Sequence, residues 1–121
     1  MKFCWTTVTV ADMERSLAFY RDALGLPIDR RYPAGPGIEI AFLGAGETKL
    51  ELICRAGEKD IRIGEHISVG FEVESVDTAM EQLAAKGIKV HSGPIQPNEH
   101  IKFFFVLDPD GLKVQLVEHI R

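Results

Sequence analysis

Apolar and polar positions alternate along much of this chain, and two stretches break that alternation with a helical period. Residues 3–10 (FCWTTVTV) are β-branched and aromatic and predict a strand. Asp12 then predicts an N-cap, with Glu14 in the first turn where it suits the helix dipole. Met13, Leu17, Tyr20 and Leu24 recur at helical spacing, and Gly25 supplies the stop. Strands are predicted over 28–32 and 38–43, with the Pro33–Gly37 turn between them, and over 47–54, where alternation is clean. Residues 55–65 are polar and read as a connector.

The order then restarts. A strand is predicted over 66–73 and a helix behind an N-cap at Ser75, with Val76, Ala79, Met80, Leu83 and Ala84 as its stripe and Gly87 as its end. A short strand over 88–91 and a Pro-broken loop over 92–98 follow. Strands over 101–107 and 112–119 then flank a turn at Asp108-Pro109-Asp110-Gly111. Val10–Leu17 lies over Val73–Met80, and Lys49–Leu52 over Lys113–Leu116. One pattern, strand, helix and three strands, therefore occurs twice. The predicted organisation is a single α+β domain over 1–121, with module one at 1–55, the connector at 56–65 and module two at 66–121.

Composition narrows the function. The chain has 121 residues, 14 basic and 18 acidic, for a net charge of −4. That balance argues against nucleic acid and against electrostatic docking on an anionic membrane. No apolar run reaches the roughly 18 residues of a membrane helix. Two cysteines, Cys4 and Cys54, sit in apolar runs and predict buried thiols in a reducing cytoplasm.

The doubled βαβββ pattern, the first helix Asp12-Met-Glu-Arg-Ser-Leu-Ala-Phe-Tyr20, Leu24-Gly25 and the late Asp108–Gly111 turn resemble the vicinal oxygen chelate superfamily. That superfamily contains glyoxalase I, bleomycin resistance proteins and extradiol dioxygenases. The resemblance implies two βαβββ modules forming an incomplete curved barrel around a cleft, and a homodimer. In metal-dependent members a divalent ion polarises vicinal oxygens of the substrate. The resemblance puts its four ligand positions on Trp5, Glu51, Ser68 and Gln115. Only Glu51 is an ordinary ligand, since an indole offers an N–H and no lone pair, and a neutral hydroxyl and an amide are weak donors. The expectation is a chain with no cofactor. A shifted, weak divalent site through Glu51 and His66 is the alternative.

Strand parity sorts the candidate residues. Val8, Val10, Leu50, Leu52, Val69, Phe71, Val114 and Leu116 form the apolar set expected beneath the helices. Trp5, Thr7, Glu51, Ile53, His66, Ser68 and Gln115 fall in the mixed set expected to line the cleft. An aromatic wall with a few polar groups suits a small molecule. Trp5 is a candidate stacking platform and equally a candidate plug for the space of a metal and its substrate. Glu51 is the candidate general base, or simply pairs with Lys49, Lys113 or Gln115. Arg30, Arg31, Arg55 and Arg62 are candidate anion clamps and equally solvated charges. Turn 33–37 and loop 92–100 are candidate lids. Three readings follow. The first is a binding protein for a small organic molecule. The second is an isomerase or lyase of the lactoylglutathione lyase kind with Glu51 as base. The third is an interaction module with a filled cleft.

Overall fold

A computed structural model describes all residues, Met1–Arg121, and divides them into two compact units, Met1–Arg62 and Ile63–Arg121. The first holds β1 (Trp5–Val10), α1 (Met13–Leu17), a π-helical segment (Ala18–Ala23), β2 (Ile28–Pro33), β3 (Ile38–Leu43) and β4 (Lys49–Arg55). The second holds β5 (Ser68–Glu72), α2 (Val76–Ala85), β6 (Ser92–Asn98), β7 (Ile101–Leu107) and β8 (Lys113–His119). Each unit is one open four-stranded sheet, ordered β1-β4-β3-β2 and β5-β8-β7-β6. The fold is α+β, two βαβββ units of identical topology. The outer pair β1 and β4 is parallel, as is β5 and β8, because a helix and two strands intervene and supply the crossover such a pair needs.

In the first unit, Thr6, Val8 and Val10 alternate with Trp5, Thr7 and Thr9. Val8, Val10, Leu50 and Leu52 are buried on the face that carries α1. At about 1.5–3 kcal/mol for each buried aliphatic side chain, this face holds the unit together. Asp12 caps α1 by accepting the Arg15 N–H at 2.9 Å. Arg31 on β2 ties α1 to the sheet by donating to Glu39 at 2.8 Å and to Glu14. Those two carboxylates, Glu39 first, hold its guanidinium above the ordinary arginine range. In the second unit, Val76 and Leu83 of α2 are buried together with Phe104, Val106, Val114 and Leu116 of the sheet. Ser75 caps α2, and Glu118 of β8 adds an acceptor for the Val76 N–H at 2.8 Å.

The structure corrects several expectations. The first helix is α-helical only to Leu17; beyond it the Leu24 N–H reaches the Phe19 carbonyl, five residues back, at 3.0 Å. The wider turn lets consecutive Phe19 and Tyr20 both be buried, with ring centroids 4.8 Å apart. No strand forms over 88–91; the strand is the Pro-rich run over 92–98. Pairing to β7 starts only where the His91 N–H meets the Phe105 carbonyl at 2.7 Å. Pro94 and Pro97 are tolerated because β6 is an edge strand and need not donate on its open side. The expected lid over 92–100 is thus largely sheet. Cys4 is exposed rather than buried, because β1 begins only after it, at Trp5; Cys54 is half-buried and both thiols are free.

Candidate functional site

The register of the first sheet places its mixed residues in rows. Thr7 on β1 lies opposite Glu51 on β4, which lies opposite Phe42 on β3, which lies opposite Arg30 on β2. The next row is Thr9, Ile53, Ile40 and Tyr32, and on the other side Trp5 faces Lys49. Trp5, Thr7, Glu51 and Ile53 therefore share one face, opposite the one that carries α1.

Glu51 is the polar centre of this face. It is only 9% exposed, although its neighbours Trp5 and Thr7 are exposed. The Thr7 hydroxyl donates to Glu51 Oε1. Glu51 Oε2 accepts no hydrogen bond from the protein, yet it is not sealed from solvent as Ser16 Oγ is. The carboxylate forms no ion pair. Lys49 Nζ instead donates to the Gly44 carbonyl at 2.8 Å and lies 3.8 Å from Asp29. The Arg30 guanidinium sits 4.4 Å from the centre of the Phe42 ring, and its Nε lies 3.8 Å from Asp29. Trp5 meets Phe42 edge to face, centroids 5.1 Å apart, and remains 44% exposed. A half-covered indole thus shares the face with a buried carboxylate, one oxygen of which accepts no hydrogen bond from the protein.

The corresponding face of the second sheet carries Ser68, Gly70 and Glu72 on β5 and Lys113, Gln115 and Val117 on β8. Gln115 lies between Gly70 and Phe105, and Phe103 and Phe105 meet edge to face with centroids 5.8 Å apart. The Gln115 amide oxygen is 3.6 Å from where a Cβ on Gly70 would sit. Thr7 and Glu51 in the first unit are therefore replaced by Gly70 and Gln115 in the second, an amide with no hydroxyl opposite it. His66 does not share the strand alternation, because β5 starts at Ser68 and His66 is exposed on the bend before it. Arg31 is no anion clamp: Glu39 and Glu14 already hold it.

Phe42 and Phe105 were missing from the sequence-derived set. β3 and β7 are apolar on both faces, so parity alone does not separate their sides; their register against Glu51 and Gln115 does. The donor set implied for a divalent ion does not fit one. Trp5 offers only an N–H, Ser68 a neutral hydroxyl and Gln115 an amide. No group of three or more His, Cys, Asp and Glu side chains comes together anywhere in the chain.

A family model described as Glyoxalase/Bleomycin resistance protein/Dioxygenase superfamily matches residues 2–116. The chain is 33% identical to a probable lactoylglutathione lyase of Synechocystis sp. over 124 residues, 93% of this chain and 92% of that protein. Its fold matches glyoxalase I of Leishmania major with a TM-score of 0.85 at 24% identity, covering 98% of this chain and 86% of that one. It also matches TnmS3, an antibiotic binding protein from Streptomyces sp., with a TM-score of 0.79 at 21% identity, covering 98% and 96%. No helix is long and apolar enough to cross a membrane.

Proposed function

The chain belongs to the Glyoxalase/Bleomycin resistance protein/Dioxygenase superfamily, and on that premise we propose that it binds a small organic molecule at the Trp5–Glu51 face without a resident metal. The observation that carries this is the donor set: of the four positions Trp5, Glu51, Ser68 and Gln115, only Glu51 has ordinary ligand chemistry. What stands there suits an organic ligand. Trp5 offers an open ring, Thr7 fixes Glu51, and Ile53 supplies apolar surface. On the second sheet's own face, Ser68 and Gln115 are proposed as polar ligand contacts, with His66 exposed on the bend ahead of it. The same fold is found in an antibiotic binding protein, which supports a binding role as one this fold can host. We propose that it acts as a homodimer in the cytoplasm.

A second reading rests on the relative named a probable lactoylglutathione lyase and on the carboxylate of Glu51. Here Glu51 is a general base in an isomerase or lyase reaction, its open Oε2 taking the proton while Thr7 holds Oε1. Metal content after incubation with Ni²⁺, Co²⁺, Zn²⁺ or Mn²⁺, followed by an assay for lactoylglutathione lyase activity, separates the two. The binding reading expects no metal above background and no turnover, with Trp5 fluorescence responding to ligands. One equivalent of metal that a Glu51→Ala variant loses overturns the metal-free reading. Turnover that Glu51→Ala abolishes overturns the non-catalytic one.

A further inference from the structure

We infer that the Trp5–Glu51 face takes a planar aromatic molecule bearing a cationic nitrogen, an inference that rests on the binding reading above and names the ligand class. Glu51 carries the argument. It is nine-tenths buried, its Oε1 is occupied by the Thr7 hydroxyl, and its Oε2 accepts no hydrogen bond from the protein and is not fully sealed from solvent. An ionised carboxylate has about four acceptor sites, so one hydroxyl leaves most of its capacity unused. A ligand donor fills that capacity, and a charged donor fills it best, charge-assisted hydrogen bonds being roughly twice as strong as neutral ones.

The protein supplies no cation of its own to this carboxylate. Three basic groups share the face by strand parity and register, Lys49, Arg30 and Arg55, and none of them pairs with Glu51; Arg55 lies 3.9 Å from Glu58. Lys49 is held by the Gly44 carbonyl and Asp29, and Arg30 by the Phe42 ring and the same Asp29. An anionic ligand would meet the Glu51 carboxylate, which no basic side chain of the face neutralises. The aromatic part of the ligand follows from the rings. Phe42 is 2% exposed, closed off by Trp5 and Arg30, whereas Trp5 is 44% exposed. The indole is therefore the available stacking surface, and it is also the strongest cation–π partner among the aromatic side chains.

The test uses three probes with one ring system and three charges: 2-naphthylmethylamine, 2-naphthylmethanol and 2-naphthoate. Trp5 is the only tryptophan, so its indole N–H gives a single NMR resonance to follow. The amine is expected to bind about 10-fold more tightly than the alcohol, a difference of about 1.4 kcal/mol, and the naphthoate more weakly than either. In Glu51→Gln, whose amide oxygen still accepts from Thr7, the amine should fall to the affinity of the alcohol. Trp5→Leu, followed on backbone amides, should weaken all three. Equal affinity for the three probes, or an amine preference that survives Glu51→Gln, overturns the charge assignment while leaving a binding face in place. No response of the indole or neighbouring amides to any probe overturns both this inference and the binding reading.

Discussion

Replacing Glu51 by leucine decides whether that carboxylate is kept for the fold or for a ligand. A buried ionised carboxylate carries a desolvation penalty of several kcal/mol even after relaxation. Here only the Thr7 hydroxyl offsets it, and a hydrogen bond to a charged group returns about 1.5–3 kcal/mol. Solvent contact at Oε2 trims the penalty. A leucine beside Phe42 and Trp5 adds apolar burial worth about 1–2 kcal/mol. The hydroxyl it orphans is on an exposed residue, where water satisfies it. Glu51→Leu should therefore stabilise the protein by about 1–2 kcal/mol, a rise in the urea midpoint of roughly 0.5–1 M. Thr7→Val, which strips Glu51 of its one protein partner, should cost about 1–2 kcal/mol in the parent chain and nothing in the Glu51→Leu background. Equilibrium urea unfolding of the four chains of this cycle measures both. A loss of more than about 1 kcal/mol in Glu51→Leu, or an equal cost of Thr7→Val in both backgrounds, refutes the reasoning. Glu51 would then be a structural group.

Two further stability effects are worked from the fold. Ser16 is fully buried in α1 and its hydroxyl has no partner, so Ser16→Ala should stabilise by about 1–2 kcal/mol and raise the melting temperature by roughly 4 °C in calorimetry; a lower melting temperature refutes it. A Cβ on Gly93 would lie 3.1 Å from Phe104 Cα and 3.2 Å from the Phe103 carbonyl oxygen, at a φ of +97°. Gly93→Ala should therefore destabilise by about 2–4 kcal/mol in urea, and a change below about 0.5 kcal/mol would show that β6 moves freely off β7.

Most of the architecture was legible because two signals coincide in it. Where a strand has one buried face, as in β1, β4 and β8, alternation marks both its existence and its orientation: Val8, Val10, Leu52, Val114 and Leu116 are all buried as the pattern requires. Where N-caps frame an apolar stripe, as at Asp12 and Ser75, the helix start is fixed to the residue. The failures lie where one signal is missing. β6 has no buried face at all, and Pro94 and Pro97 mimic a loop, so only its pairing to β7 reveals it. The π-helical segment is set by the need to bury Phe19 and Tyr20 together, a packing demand that periodicity does not encode. The site was half legible for the same reason. Glu51 stood out as the one ordinary ligand, but the row that gives it context, Thr7, Glu51, Phe42 and Arg30, is a property of register between strands.

The two units show how such a face changes without disturbing the fold. Their helix-bearing faces keep the same character, Val8 and Leu52 in one, Val69 and Leu116 in the other. Their opposite faces have diverged: Thr7 and Glu51 are matched by Gly70 and Gln115, a charged, hydroxyl-held anchor by a neutral amide over bare backbone. Side chains of successive strand residues point to opposite sides, so substitutions on one face leave the packing of the other intact. Selection on the buried face therefore preserves the βαβββ unit, while the other face is free to change its side chains. Glu51 is the exception on which the proposed site rests. It is the one residue of that face with the burial of a core position and the chemistry of a surface one, and a sheet selected for stability alone would place a leucine there.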